Sequence, residues 1–266
     1  ELIRNKYHVI VVNSKKMNKP LREYIASHAN VYIHVSNNGK DFGKYKAGYE
    51  YIIEKKLKNI TSLLLINDSF YFLSKAHSMW RRVESSRVDV VSIIQSALHS
   101  NHLQSYFILF KKKSFLNKQV KEFFLNYKNY NARYYQIKFG ELGLSKAIKR
   151  SKLKYSGIVN KDNVGEFLSK YDTNKIFPKK TKKFIAYQTN YTHSLYSSLI
   201  HNFDIPILKK DILKNSLFNL NNIKILLKSL KISDNYTREI INTIKQKNLT
   251  VFCLLYTSPS PRDGLL

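Results

Sequence analysis

An α/β fold is predicted by two features of the first half of the chain. Apolar strand-like runs alternate there with amphipathic helical stretches, in the order strand, helix, strand, helix, strand. That order is the pattern of a parallel sheet with helical crossovers. The third run, Ser62-Leu63-Leu64-Leu65-Ile66, is short and continuously apolar, as in a strand buried on both faces. It stops at Asn67-Asp68-Ser69, where a central strand would leave its sheet. Ligands of open α/β sheets bind at such carboxyl ends, and a carboxylate there suits a divalent cation and, through it, a diphosphate. The same tripeptide equally suits a plain turn.

Each element follows from local pattern. Tyr7 to Val12 is a buried strand. Asn18 caps a helix that tolerates Pro20 in its first turn and runs to about Ser27. Asn30 to Val35 alternates Val31, Ile33 and Val35 as a second strand. Ser36 to Gly43 reads as a loop with two glycines. A helix follows, with Tyr45, Tyr49, Ile52, Ile53 and Leu57 on one side and Lys55, Lys56 and Lys58 at its C-terminal end. After the central strand, Ser74 to Val83 is predicted helical. Val88 to Ile94 and His102 to Phe110 are predicted as antiparallel neighbours joined by a turn around His99-Asn101, which makes the sheet mixed. Phe115 to Tyr127 and Gly140 to Lys149 read as helices, the latter burying Leu144, Ala147 and Ile148. Ser156 to Lys180 is polar with few periodic signals. Thr189 to Ile200 is predicted helical, Pro206 interrupts Ile205 to Leu208, and Leu220 to Lys247 forms two short helices with Ser233-Asp234 as a cap.

The expected division is a core over 1–155, a mostly helical extension over 156–250, and a foreign tail over 251–266. The tail assignment rests on Cys253 to Asp263, CLLYTSPSPRD, which looks like a translated sequencing adapter and departs from the Lys/Asn/Ile-rich chain before it. Residues from Cys253 are therefore expected to pack against nothing. Setting the tail aside removes the single cysteine, and a thiol-free remainder suits a reducing cytoplasm. The missing initiator Met and the adapter-like end lead to the expectation that both native termini lie outside this sequence.

Composition bounds the function. Of 266 residues, 43% are hydrophobic and 13% aromatic, enough for a sizeable core, and no apolar run reaches membrane-spanning length. The net charge of +28 suggests a polyanionic partner. It also follows from codon bias, because Lys, Asn, Ile, Tyr and Phe are all products of AT-rich codons. The lysines are diffuse, with short clusters only at Lys111–Lys113 and Lys179–Lys183. No nucleic-acid module is present, and no nucleic-acid partner is expected. Diffuse charge suits peripheral contact with an anionic membrane surface. A non-catalytic basic protein binding polyanions is the competing function class; steep salt dependence would mark it.

Five motifs occur in a fixed order: Asn38-Gly39-Lys40-Asp41-Phe42-Gly43; Leu65-Ile66-Asn67-Asp68-Ser69; His102-Leu103-Gln104-Ser105-Tyr106-Phe107; Glu141-Leu142-Gly143-Leu144-Ser145; and Asn190-Tyr191-Thr192-His193 with Ile205 to Leu213. Together they resemble the rhamnan synthesis protein F family, glycosyltransferase-like proteins of bacterial surface polysaccharide assembly, over about Tyr7 to Phe218. The resemblance implies a GT-A-like (Rossmann-like) mixed sheet flanked by helices, with a helical C-terminal part. It implies a cytoplasmic enzyme, peripheral at the inner membrane face. Its donor would be a nucleotide sugar such as dTDP-L-rhamnose and its acceptor a lipid-linked glycan, and transfer would invert the anomeric centre.

The resemblance also implies roles. Asn38, Gly39, Asp41, Gly43, Asn67, Asp68 and Ser69 would bind the donor. Asp41 would accept hydrogen bonds from a base or ribose; alternatively it is a helix N-cap. Asp68 stands where related folds carry a D-x-D motif, but with one carboxylate. It would hold Mg2+ or Mn2+ mainly through waters and phosphates, or else lysine or arginine would neutralise the diphosphate. Glu141 would be the general base, its context resembling G-E-D-x-x-L-S; alternatively it only complements a helix dipole. His102, Gln104, His193 and Lys209 would contact acceptor or sugar, and Lys209 could alternatively neutralise a phosphate, with ordinary structural roles standing beside each: a turn for His102, a strand for Gln104, a solvated helix start for Lys209.

Overall fold

The computed structural model describes residues 7–57, 59–73, 76–98, 100–170, 189–214, 220–242 and 251–257, with 214, 220 and 251–257 described by backbone alone. Residues 74 and 75 of one expected helix, His99 of the expected turn, the Lys179–Lys183 cluster, the end of the last expected helix and tail residues 258–266 lie outside them.

The first half follows the predicted alternation: β1 (Tyr7–Asn13), α1 (Lys19–His28), β2 (Val31–His34), α2 (Lys40–Glu54) and β3 (Ser62–Asn67). Asn18 caps α1 by accepting from Leu21 N. β3 leads through a two-residue turn into β4 (Phe70–Phe72), and α3 (His77–Ser85) follows. β5 (Val90–Ser96) then pairs antiparallel with both β6 (His102–Leu103) and β7 (Phe107–Phe110). The antiparallel relation is as expected, but the His102–Phe110 strand is broken. Gln104, Ser105 and Tyr106 leave the ladder between its halves.

α4 (Lys118–Asn126) covers the sheet after a short 3-10 turn at Ser114–Leu116. The predicted helix start at Gly140 is corrected. Helical backbone begins with α5 (Arg133–Tyr135), passes through a π-helical turn at Gln136–Glu141 and continues as α6 (Leu142–Arg150). Leu144, Ala147 and Ile148 are buried as expected. The expected boundary at 155/156 falls at the start of β8 (Tyr155–Val159), which pairs parallel with β5. α7 (Lys161–Lys170) follows, its Val164 and Leu168 in the same core cluster as Val159 of β8. Further on, the predicted Thr189–Ile200 helix is two pieces, Tyr191–Ser194 and Tyr196–His201. β9 (Ile207–Lys209) pairs antiparallel with β4, placing Lys209 opposite Phe70.

The expectation that residues from Cys253 pack against nothing is overturned over 253–257. Val251–Thr257 forms β10, antiparallel to β1 on one side and to β3 on the other. The apolar, β-prone composition of VFCLLYT suits a central strand whatever its origin. The main sheet runs β2-β1-β10-β3-β7-β5-β6, with β8 paired to β5.

Alternation along β3 explains the layers. Leu63 and Leu65 point into the cluster formed with Tyr45, Tyr49 and Ile52 of α2 and Val120 and Phe124 of α4. Leu64 and Ile66 point into the opposite cluster with Met79, Val83, Val164 and Leu168. Both faces are thus covered, as a continuous apolar run requires. A third cluster, around Leu208, Ile212, Ile223, Leu227 and Ile240, holds the C-terminal helices together. Among the described residues no helix is long and apolar enough to cross a membrane.

Candidate functional site

β3 delivers Asn67, Asp68 and Ser69 to the wall of a cleft of about 1160 Å³. Asp41, His102, Gln104, Glu141, His193 and Lys209 line the same cleft. Asn38, Gly39 and Gly43 do not line it; they shape the backbone beside it. Gly39 adopts φ +77° at the N-cap of α2, and its N–H donates to Asn131 Oδ1 at 3.0 Å. A Cβ on Gly43 would lie 2.1 Å from the Asn38 carbonyl oxygen, so only glycine allows the helix to start this close to the preceding loop. α2 therefore begins at Lys40, and Asp41 lies in its first turn, not at the N-cap.

Inside the cleft the polar groups form a chain. Asn67 Nδ2 donates to Asp41 Oδ2 at 2.9 Å. Asn67 Oδ1 accepts from Ser69 N at 3.0 Å and from Ser69 Oγ at 2.6 Å. Lys209 Nζ donates to Ser69 Oγ at 2.5 Å and sits 4.2 Å over the Tyr106 ring. Lys210 Nζ donates to Asp68 Oδ2 at 3.3 Å. Burial raises the Asp41 carboxyl to about 6, against the pull of Lys44 and Lys209 and with the push of Asp68 and Glu141. Burial also lowers the Lys209 ammonium from its ordinary range.

Glu141 lines the same cleft. Its Oε1 accepts from Ser105 Oγ at 2.7 Å and from Ser105 N at 3.4 Å, so the break in the β6–β7 strand orients it. His102 Nε2 lies 3.9 Å from Glu141 Oε2. The π-helical turn brings Glu141 close because Gly140 rests on Phe42, where a Cβ would meet the ring at 2.5 Å. Glu141 ends that turn, so it does not stand in a helix's opening turn and the dipole role considered for it falls away.

Gln104 Nε2 donates to Asn190 Oδ1 at 3.0 Å, tying the broken strand to the Asn190 cap. Gln104 Oε1 and the Tyr106 hydroxyl are buried and have no hydrogen-bond partner among the described residues. Buried polar atoms of this kind are usually met by water or ligand. Burial keeps His193 below its ordinary value. Lys209 lies in β9, enclosed by Ser69 and Tyr106, and is not a solvated helix start.

Ser105, Tyr106, Lys210, Asn131 and Arg133 also line the cleft, and the sequence pattern assigned none of them to it. Ser105, Tyr106 and Lys210 lie within the quoted motifs, beside residues that the pattern did assign. Nothing local marks Asn131 or Arg133. Among the described residues no three His, Cys, Asp or Glu side chains are placed to hold a metal ion.

Fold and cleft define a mixed α/β protein with paired acidic and basic groups at the carboxyl end of a central strand. The chain belongs to the rhamnan synthesis protein F family, whose model matches residues 9–255. It is 29% identical over 143 residues to the uncharacterized protein y4gN of Sinorhizobium fredii, covering 52% of this chain and 37% of that protein. It is 25% identical over 234 residues to virulence protein VirA of Vibrio anguillarum, covering 81% of this chain and 72% of VirA. The chain thus spans little more than a third of the Sinorhizobium protein's length. No solved structure matches it significantly.

Proposed function

We propose that the protein is a glycosyltransferase of bacterial surface polysaccharide synthesis, built on a GT-A-like framework. It moves a sugar such as L-rhamnose from a nucleotide-sugar donor to a growing lipid-linked glycan. The observation that carries this is the convergence of Asp41, Asp68 and Glu141, from three separate motifs, on one cleft with Lys209 and Lys210. Family membership supports the same class of chemistry.

In this reading Asp41 and Asn67 receive the donor's base or ribose beside the α2 N-terminus, and Asp68 orders the diphosphate end. Glu141 removes the acceptor hydroxyl proton. The hydroxyl oxygen then bonds to the anomeric carbon from the face opposite the diphosphate. The anomeric C–O bond breaks, and the nucleoside diphosphate departs with its electrons. A positioned carboxylate acting as base on the acceptor hydroxyl suits inversion. Ser105 positions Glu141 through its hydroxyl and amide. The cleft's carboxylates do not fit a closed Mg2+ or Mn2+ site: Asp68 is paired to Lys210 and Asp41 to Asn67. The high net charge supports seating against the anionic inner face of the membrane, near a lipid-linked acceptor.

A thermal-shift panel of nucleotide sugars tests the reading, since a ligand bound to the native state raises its stability by mass action. A saturable rise with one nucleotide sugar and none with its free sugar is expected. No response to any nucleotide sugar would count against it.

A further inference from the structure

We propose that Lys209 and Lys210 take the place of a metal and neutralise the donor diphosphate, so that the late segment around β9 completes the donor site. The proposal rests on the transferase reading. Its starting point is topology. β9 pairs with β4 immediately after the Asn67-Asp68-Ser69 turn. The pairing brings Lys209 Nζ onto Ser69 Oγ across 140 positions of sequence and Lys210 Nζ onto Asp68 across 142. Two ammonium groups therefore stand at the carboxyl end of β3, where a strand-end acidic motif would otherwise gather a cation.

The carboxylates are committed elsewhere. Asp68 accepts from Lys210, Asp41 from Asn67 and Glu141 from Ser105. Among the described residues no three acidic or histidine side chains surround one point. Lys209 is held in place from two sides, by the Ser69 hydroxyl and by the Tyr106 ring. Burial lowers its pKa against the pull of Asp211, Glu141, Asp41 and Asp68, and an arriving diphosphate would add negative charge that favours the ammonium form. The segment expected from sequence to be an accessory extension would thus carry the cations of the donor site. Ammonium–phosphate contacts are charge-assisted, which makes them among the stronger hydrogen bonds available to a protein.

The test is calorimetric titration of the full chain with UDP, GDP and dTDP, and with inorganic pyrophosphate, first in EDTA and then in Mg2+. At least one nucleoside diphosphate should bind in EDTA, and Mg2+ should change its affinity less than about twofold. Lys209→Met and Lys210→Met should each weaken it by about tenfold or more, the scale of a hydrogen bond to a charged group. Lys209→Arg should recover part of the loss. If Lys209→Met does not fold, Lys210→Met decides alone, because that side chain is partly exposed. Nucleoside diphosphate binding that requires Mg2+, or that survives both Met substitutions, overturns the clamp and leaves the transferase reading standing. Lysine-dependent pyrophosphate binding without any nucleoside diphosphate binding keeps the clamp and removes the transferase reading. No binding of any probe removes both.

Discussion

The Asn67 side-chain amide donates to Asp41 Oδ2 over 2.9 Å, joining the end of the central strand to the first turn of the helix that precedes it. This bond holds a carboxylate in a buried position between two other acids and two lysines, and burial raises its pKa from 3.8 to about 6. A carboxyl so shifted is easier to protonate in the fold than in the unfolded chain. Its contribution to stability is therefore complete below about pH 4 and is lost as pH rises through about 6. At pH 7 the ionised Asp41 is a net burden of about 1–3 kcal/mol on the ligand-free fold. Asp41→Asn should accordingly raise the melting temperature at pH 7 and change it little at pH 4. It should also weaken donor binding, the exchange of stability for function common at sites. Melting curves at the two pH values check this.

Gly43 makes the second prediction. A Cβ at this position would come 2.1 Å from the Asn38 carbonyl oxygen, a backbone atom that cannot swing away. Gly43→Ala should destabilise the protein by about 1–3 kcal/mol, as overpacking does. It should also displace Asp41, two residues earlier on the same turn. Chemical denaturation measures the first effect and nucleotide-sugar titration the second.

Asp68 makes the third. Its Oδ2 accepts from Lys210 Nζ at 3.3 Å. Asp68→Asn keeps the shape but loosens the lysine, so donor affinity and turnover should fall together, affinity by about tenfold. Unchanged donor affinity in a titration would separate Asp68 from the donor.

The sequence exposed those parts of the site that depend on local pattern. The continuous run of β3 announces burial on both faces, and its polar end announces the cleft. The Asn18 cap is legible because it is a short-range bond. Other parts depend on contacts distant in sequence. β8 is Tyr-Ser-Gly-Ile-Val after a polar stretch, and its strand character comes from pairing with β5. β9 follows Pro206 and is short; its partner β4 defines it. The role of Lys210 is invisible without that pairing. The π-helical turn at Gln136–Glu141 contains Gly140, which rests on Phe42, a contact no helical period encodes. The break at Gln104–Tyr106 hid in an apolar context that reads as one strand, although Gln104 and Ser105 are the polar residues in it. The backbone of β10 shows the limit in the other direction: a stretch read as foreign has enough β propensity to occupy the middle of the sheet.

The most direct measurement is nucleoside diphosphate release from a nucleotide sugar in the presence of an acceptor glycan, by wild type and Glu141→Gln. The amide preserves shape at the Ser105 contact but cannot take a proton. Donor affinity should stay nearly intact while turnover falls by about a hundredfold or more, because a positioned base acts only in the transition state. Wild-type turnover in Glu141→Gln would contradict the account of this cleft as the place where the acceptor is deprotonated and the sugar transferred.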